Sequence, residues 1–244
     1  LPLTLFPYTT LFRSGNIDVE KTSLRTFLVF SIFLLALLLP SYLIFSSRYM
    51  VRYVEFSPNY NVDNIFLNSV YDKSIWILDE SSLESLYVTD PTIEKIELVK
   101  ILPSKLKVKL NFHEQIAVIS DLRGSQPQLT ILFKNLYTAE SIEASKNAMS
   151  VTIVNGPVDS GFNGEIVALF MTLSSFDDIN VGSLKLTHSG TSIIGYYEDT
   201  EILFGSPVDL ATKAASIGEL LSYGNCEGTV RFITNNSFVT DCKI

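Results

Sequence analysis

The stretch from Phe27 to Phe45, FLVFSIFLLALLLPSYLIF, runs nineteen residues without a charge. As a helix it is long enough to cross ~30 Å of hydrocarbon. It is apolar on every side and carries no amphipathic stripe, which separates it from the buried helix of a soluble core. Pro40 is tolerated in a membrane helix and costly in a soluble one. This segment accounts for much of the positive mean hydropathy of +0.28. No second run of this kind follows, so a single transmembrane helix is expected over 27–46. Lys21 and Arg25 flank one side, Arg48 and Arg52 the other, so basic residues barely decide the orientation. The bulk of the chain follows the span. The expected plan is a short cytoplasmic tail, of which 15–26 is a remnant, and an extracytoplasmic C-terminal body.

That body is acidic: from Arg48 onward, 15 basic and 24 acidic residues leave a net charge of −9. No basic stripe appears, so nucleic acid is not an expected partner. Lys105, Lys107 and Lys109 fall on one face of a strand and read as a solvated face. The two cysteines are Cys226 and Cys242. An exported body could join them. A domain of this size does not need a staple, and two free thiols are the expectation.

The body reads as α+β in two parts. The first, 51–121, has the order strand, helix, helix, strand, strand. VRYVEF (Val51 to Phe56) is a strand and Val62 to Asn68 a weak helix candidate. SIWIL (Ser74 to Leu78) is apolar and extended. Ser81 and Glu84 form a capping box ahead of Leu83, Leu86 and Tyr87 at helical spacing. Asp90 and Pro91 stop that helix. Ile93 to Ile101 and Lys105 to Phe112 then form a hairpin, with Leu106, Val108, Leu110 and Phe112 inward. The second part, 122–244, rests on a mainly antiparallel sheet. Its strands are LTILF, SVTIV, SLKLTH, SIIGYY, EILF, TVRFI and FVTDC. One helix is expected from Glu165 to about Phe176. Another runs from Val208 to Tyr223, with Ser206 and Pro207 as N-cap and first helical residue and Gly224 as its end.

No catalytic constellation stands out. His113 and Glu114 begin like a zinc-protease motif, but Ala117 occupies the place of the second ligand. There is no nucleophile elbow, no phosphate-binding loop and no dinucleotide fingerprint, so no cofactor, metal or small-molecule substrate is expected.

Asp90 to Ile119, DPTIEKIELVKILPSKLKVKLNFHEQIAVI, resembles the end of the POTRA domain in FtsQ/DivIB cell-division proteins. Pro91, Ile93, Pro103, Glu114, Ala117 and Val118 carry the likeness. EILFGSPVDLATKAASIGELL, with Gly205 and Lys213, resembles the family's strand, glycine and lysine-bearing helix. TVRF (Thr229 to Phe232) resembles its closing strand. The resemblance spans about Thr26 to Val239, although SPNYN stands where the family usually carries a glycine-asparagine turn. It implies a small POTRA-type domain, a second β domain, and a non-enzymatic membrane component of the division machinery at the septum. The implied partners are FtsL and FtsB/DivIC-type proteins. The family's last strand offers an edge to a partner strand, which here implicates Arg231, Phe232, Ile233, Phe238 and Val239. On that basis Ile233→Pro is expected to abolish partner binding. The alternative is an envelope POTRA protein acting as a chaperone or secretion factor, and a signal-anchored enzyme of wall metabolism is a third reading.

Thr4 to Ser14, TLFPYTTLFRS, has neither charge before Arg13 nor any period. Read codon by codon it resembles a translated sequencing adapter, so residues 1–14 are expected to be an assembly artefact.

Overall fold

In a computed structural model, the structure describes residues 19–60, 67–68, 70–140, 143–222 and 226–242. The adapter-like segment, most of the Val62 to Asn68 helix candidate and the expected helix end at Gly224 lie outside these residues. The chain divides into two compact units. One comprises the described residues up to Glu84 together with Glu97–Lys109; the other comprises Ser85–Ile96 and the residues from Leu110 onward.

The first unit begins with helix α1 (Val19–Phe45). Its segment Leu24–Phe45 is long and apolar enough to cross a membrane. Most of its described side chains are exposed, and they present no polar face. Pro40 removes one helical donor, and beside this break the Ser41 hydroxyl donates to the Leu37 carbonyl at 3.0 Å. A short 3-10 turn, Ser47–Tyr49, leads to strand β1 (Tyr53–Ser57). With β2 (Ile93–Ile101) and β3 (Lys105–Phe112) it forms a three-stranded sheet of order β1-β3-β2, β1 running parallel to β3. Leu106 and Val108 are buried, and Lys105 and Lys107 point outward to pair with Glu55.

Two local expectations are corrected here. Ser74 to Leu78 is not a strand: Ser74 makes one bridge to Met50, and the chain then turns. The capping box is formed by Asp79 and Ser82, not by Ser81 and Glu84. Asp79 accepts from the Ser82 amide and from the Ser81 and Ser82 hydroxyls, starting a 3-10 turn (Glu80–Leu83). A carboxylate accepting three donors outcompetes a serine two residues later.

In the second unit, helix α2 (Glu84–Thr89) ends where Asp90 donates its amide to Leu86, next to Pro91. A nine-stranded sheet follows, of order β12-β11-β10-β9-β8-β7-β4-β5-β6. Its strands are β4 (Gln115–Asp121), β5 (Gln128–Phe133), β6 (Thr138–Glu140), β7 (Met149–Asn155), β8 (Lys185–Ser189), β9 (Ser192–Tyr197), β10 (Thr200–Gly205), β11 (Gly228–Thr234) and β12 (Ser237–Thr240). Most neighbours are antiparallel; β4–β7, β7–β8 and β10–β11 are parallel. The expected division after Asp121 places β4 in the first part of the body, whereas it pairs within the large sheet. Ile116, Ala117 and Ile119 on β4 are buried because the strand lies between β5 and β7, inside the large sheet.

Helices α3 (Ser160–Leu173) and α4 (Leu210–Ser222) pack side by side and belong to one core with the sheet. Helix α3 starts earlier than its apolar stripe suggests, because Asp159 accepts from the Phe162 amide and caps it. Helix α4 starts later than expected. Ser206 and Pro207 precede the helix, and it is the Asp209 carbonyl that accepts from the Thr212 and Lys213 amides.

The last six strands form a tandem repeat. The units β7-α3-β8-β9 and β10-α4-β11-β12 each pair their first two strands in parallel and their last two antiparallel. Pro157-Val158-Asp159 and Pro207-Val208-Asp209 recur before the two helices, fifty positions apart.

Candidate partner-binding edge

The β11–β12 hairpin is built from sequence with a clear two-residue period. On β11, Val230 is buried and Phe232 half-buried, while Arg231 and Ile233 are exposed. Phe232 stacks on buried Phe204 at 5.7 Å between ring centroids, and Phe238 of β12 tilts against Phe232 at 5.6 Å. This row of three rings carries the core out to the sheet's last strand. Phe232 and Phe238 are therefore committed to packing.

Arg231 stands opposite Val239 across the hairpin, on the other face of the sheet, beside Leu203 of β10. Arg231 forms no ion pair among the described residues. Ile233, 66 % exposed, falls in the register shift between Phe232 and Thr234. The structure thus brings together all five residues singled out from the sequence, in two roles. Phe232 and Phe238 hold the hairpin to the core, and Arg231, Ile233 and Val239 face outward.

The free edge belongs to β12, not to β11, which lies between β10 and β12. Ile233→Pro is accordingly the wrong variant for an edge, because Asn235 and Asn236 turn the chain and lay a further strand outside Ile233. The Asp241 amide donates to the Thr229 carbonyl at 3.2 Å. By the alternation of an antiparallel ladder, Val239 also points its backbone groups at β11. Those of Phe238 and Thr240 point away from the sheet.

The hairpin is clamped at both ends. At the turn, the Thr234 and Ser237 hydroxyls are 2.7 Å apart, and the side-chain Nδ2 of Asn235 donates to the carboxylate of Asp209, just before α4, at 2.6 Å. At the open end, Asp241 accepts from the Thr229 amide. There Cys226 and Cys242 are joined in a disulfide, with their Cα atoms 4.9 Å apart. This corrects the expectation of free thiols. The pairing of β11 with β12 places the two cysteines side by side, which sequence spacing alone does not reveal.

Lys213 is almost fully buried, and its ammonium donates to the Ser206 carbonyl at 2.7 Å. Burial lowers its pKa, and the carboxylates of Asp209 and Glu165 oppose that shift. Glu165 of α3 also accepts from the Leu210 amide at 2.7 Å, tying α3 to the first residue of α4. The lysine of α4 is thus a structural part of the helix start that supports the hairpin.

The sheet's opposite edge, β6, is three residues long and includes the charged Glu140. Short, charged edges resist strand addition. Strand β12, Ser-Phe-Val-Thr, has no charge. Among the described residues no group of three or more His, Cys, Asp or Glu forms a metal site. No protein-family model matches this chain, and no curated protein matches it.

Proposed function

We propose that this chain is a non-enzymatic, single-pass scaffold of the bacterial division machinery. Its N-terminus is cytoplasmic, and its extracytoplasmic part binds FtsL and FtsB/DivIC-type partners at the septum. The reading starts from the family resemblance of Asp90 to Ile119. The observation that carries it is the uncharged edge of β12, which no strand pairs among the described residues, with outward backbone groups at Phe238 and Thr240. Such an edge gives affinity through main-chain hydrogen bonds, and Val239, Ile233 and Arg231 beside it supply side chains for specificity. The order of the three-stranded sheet, with its first strand parallel to its last, supports a POTRA-type first domain.

The tandem repeat also supplies a direction. β9 and β12 hold equivalent places, and β9 takes β10 as an antiparallel neighbour. A partner strand added to β12 in the same way runs antiparallel to it.

The test is binding of the full chain, in lipid nanodiscs, to the extracytoplasmic segments of the same organism's FtsL and DivIC-like proteins. Thr240→Pro removes an outward N–H and no ladder bond, so the fold survives and affinity falls about tenfold or more. Val239→Pro removes an inward donor and loosens the hairpin itself. Undiminished binding by a folded Thr240→Pro chain overturns strand addition at this edge. Failure of the wild-type chain to bind either segment overturns the division role and favours the envelope-chaperone reading.

A further inference from the structure

We propose that Tyr49, Trp76 and Ile77 seat the start of the first unit in the lipid headgroup layer, as a docking surface for the membrane that α1 crosses. This rests on the reading of α1 as a membrane span. The segment Leu24–Phe45 has 22 residues. At 1.5 Å per residue that is about 33 Å, enough to fill ~30 Å of hydrocarbon and leave Phe45 at its boundary. The Ser46 amide still donates to Tyr42, and Tyr49 closes the following 3-10 turn on Ser46. Four residues cover at most ~14 Å when extended and about 8 Å as a 3-10 turn. The headgroup layer is itself about 5–8 Å deep on each side. Wound as this 3-10 turn, the segment therefore carries Tyr49 no farther than about the outer margin of the headgroup layer, within reach of its ring.

The tertiary structure then brings a distant part of the chain to the same depth. The Ile75 amide donates to the Tyr49 carbonyl at 2.8 Å, Val51 donates to Lys73 at 2.9 Å, and Met50 bridges Ser74. These bonds hold the turn 72–76 against the segment leaving the helix. The Trp76 ring lies 5.8 Å from that of Tyr49. Trp76 remains 42 % exposed and Ile77 58 % exposed. Indole and phenol rings, apolar with one polar end, are the side chains that prefer the headgroup level.

Charge plays a smaller part. Arg48, Arg52, Lys73 and Lys100 lie in the segments around these rings, Lys100 donating to the Trp76 carbonyl at 3.4 Å. Asp72, Asp79 and Glu80 nearly cancel them. The contact is therefore driven by the rings and Ile77, and does not need an anionic surface.

Trp76 is the chain's single tryptophan, so its fluorescence reports this position alone. The experiment reconstitutes the full chain in vesicles of three parts phosphatidylcholine to one part phosphatidylglycerol carrying spin-labelled lipids. Labels at the headgroup or at carbon 5 of the acyl chain are expected to quench Trp76 at least twofold more than labels near the chain end, with blue-shifted emission. Water-like emission, unaffected by every lipid label, from a chain that stays in the vesicles after an alkaline carbonate wash overturns the docking and leaves the anchor standing. Release of the chain by that wash overturns the anchor, and the docking with it.

Discussion

His188 is 1 % exposed, on the interior strand β8, with its ring stacked on Phe162 of α3 at 4.7 Å. Neither ring nitrogen makes a hydrogen bond of good geometry, the Gly190 backbone offering only a weak one. Burial pushes its pKa below the usual imidazole value, the positive charge of Arg123 adds to that shift, and the Gly190 backbone opposes it. The folded state therefore resists a proton that the unfolded chain takes up below about pH 6.5. Stability is fully present above that value and declines as pH falls toward the lowered pKa of the folded state. The thermal unfolding midpoint of the wild-type chain should drop between pH 7.5 and 5.5. His188→Phe, which keeps a stacked ring, should drop less; equal drops would reject the assignment. Gly156, at φ +109°, faces this ring, and a Cβ there would crowd the His188 side chain and the Gly190 carbonyl. The alternation in SLKLTH puts His188 on the face of Leu184 and Leu186, so its burial is legible in the sequence, but the ring of Phe162 that covers it comes from a distant helix that no local pattern reveals. Asp121 is a contrast, a local pair that sequence can suggest. The guanidinium of Arg123, two residues on, holds its carboxyl down at about 2.

At the scale of elements, the β11–β12 hairpin depends on its closures more than on its length. Strand β12 has four residues, and only one face of it meets the core. The bond between Cys226 and Cys242 closes a loop over a sequence separation of 16. In the chain-entropy account a loop of that size contributes about 3 kcal/mol. Cys242→Ala, or reduction, should lower the stability of this hairpin by that order, read as faster amide exchange over 228–241. If exchange elsewhere in the sheet rose equally, the bond would be stabilising the whole unit rather than the edge. Among the elements, the long alternating strands were legible: Ile93 to Ile101, Lys105 to Phe112 and the strands β8 to β11 stand close to where the pattern places them. The helix starts were less legible. Asp159 caps α3 with its carboxylate, which it can do only where the backbone before it turns, whereas at α4 the Leu210 amide is taken by Glu165 of α3, a partner no local pattern reveals. The repeat of Pro-Val-Asp at 157–159 and 207–209 was the available signal for both starts.

For the molecule as a whole, the helix Leu24–Phe45, long and apolar enough to cross a membrane, is the feature with the widest consequence. One arginine at the centre of an inserted helix costs about 2.5–3.5 kcal/mol. Leu35→Arg should therefore reduce the inserted fraction in bacterial envelopes, seen as material released by alkaline carbonate, while the wild-type chain stays in the pellet. Equal retention of both would argue against a span at Leu24–Phe45. The sequence by itself determined that helix, because nineteen uncharged residues satisfy the hydrophobic requirement locally. It also determined the α+β class and most strands, since a two-residue period needs only near neighbours to be read. Only the tertiary structure decided that β4 belongs to the large sheet, that β12 rather than β11 is its edge, that Cys226 meets Cys242, and that Trp76 returns to Tyr49. These are pairings between segments distant in the chain. Side-chain alternation states which face of a strand is buried, but not which strand lies beside it.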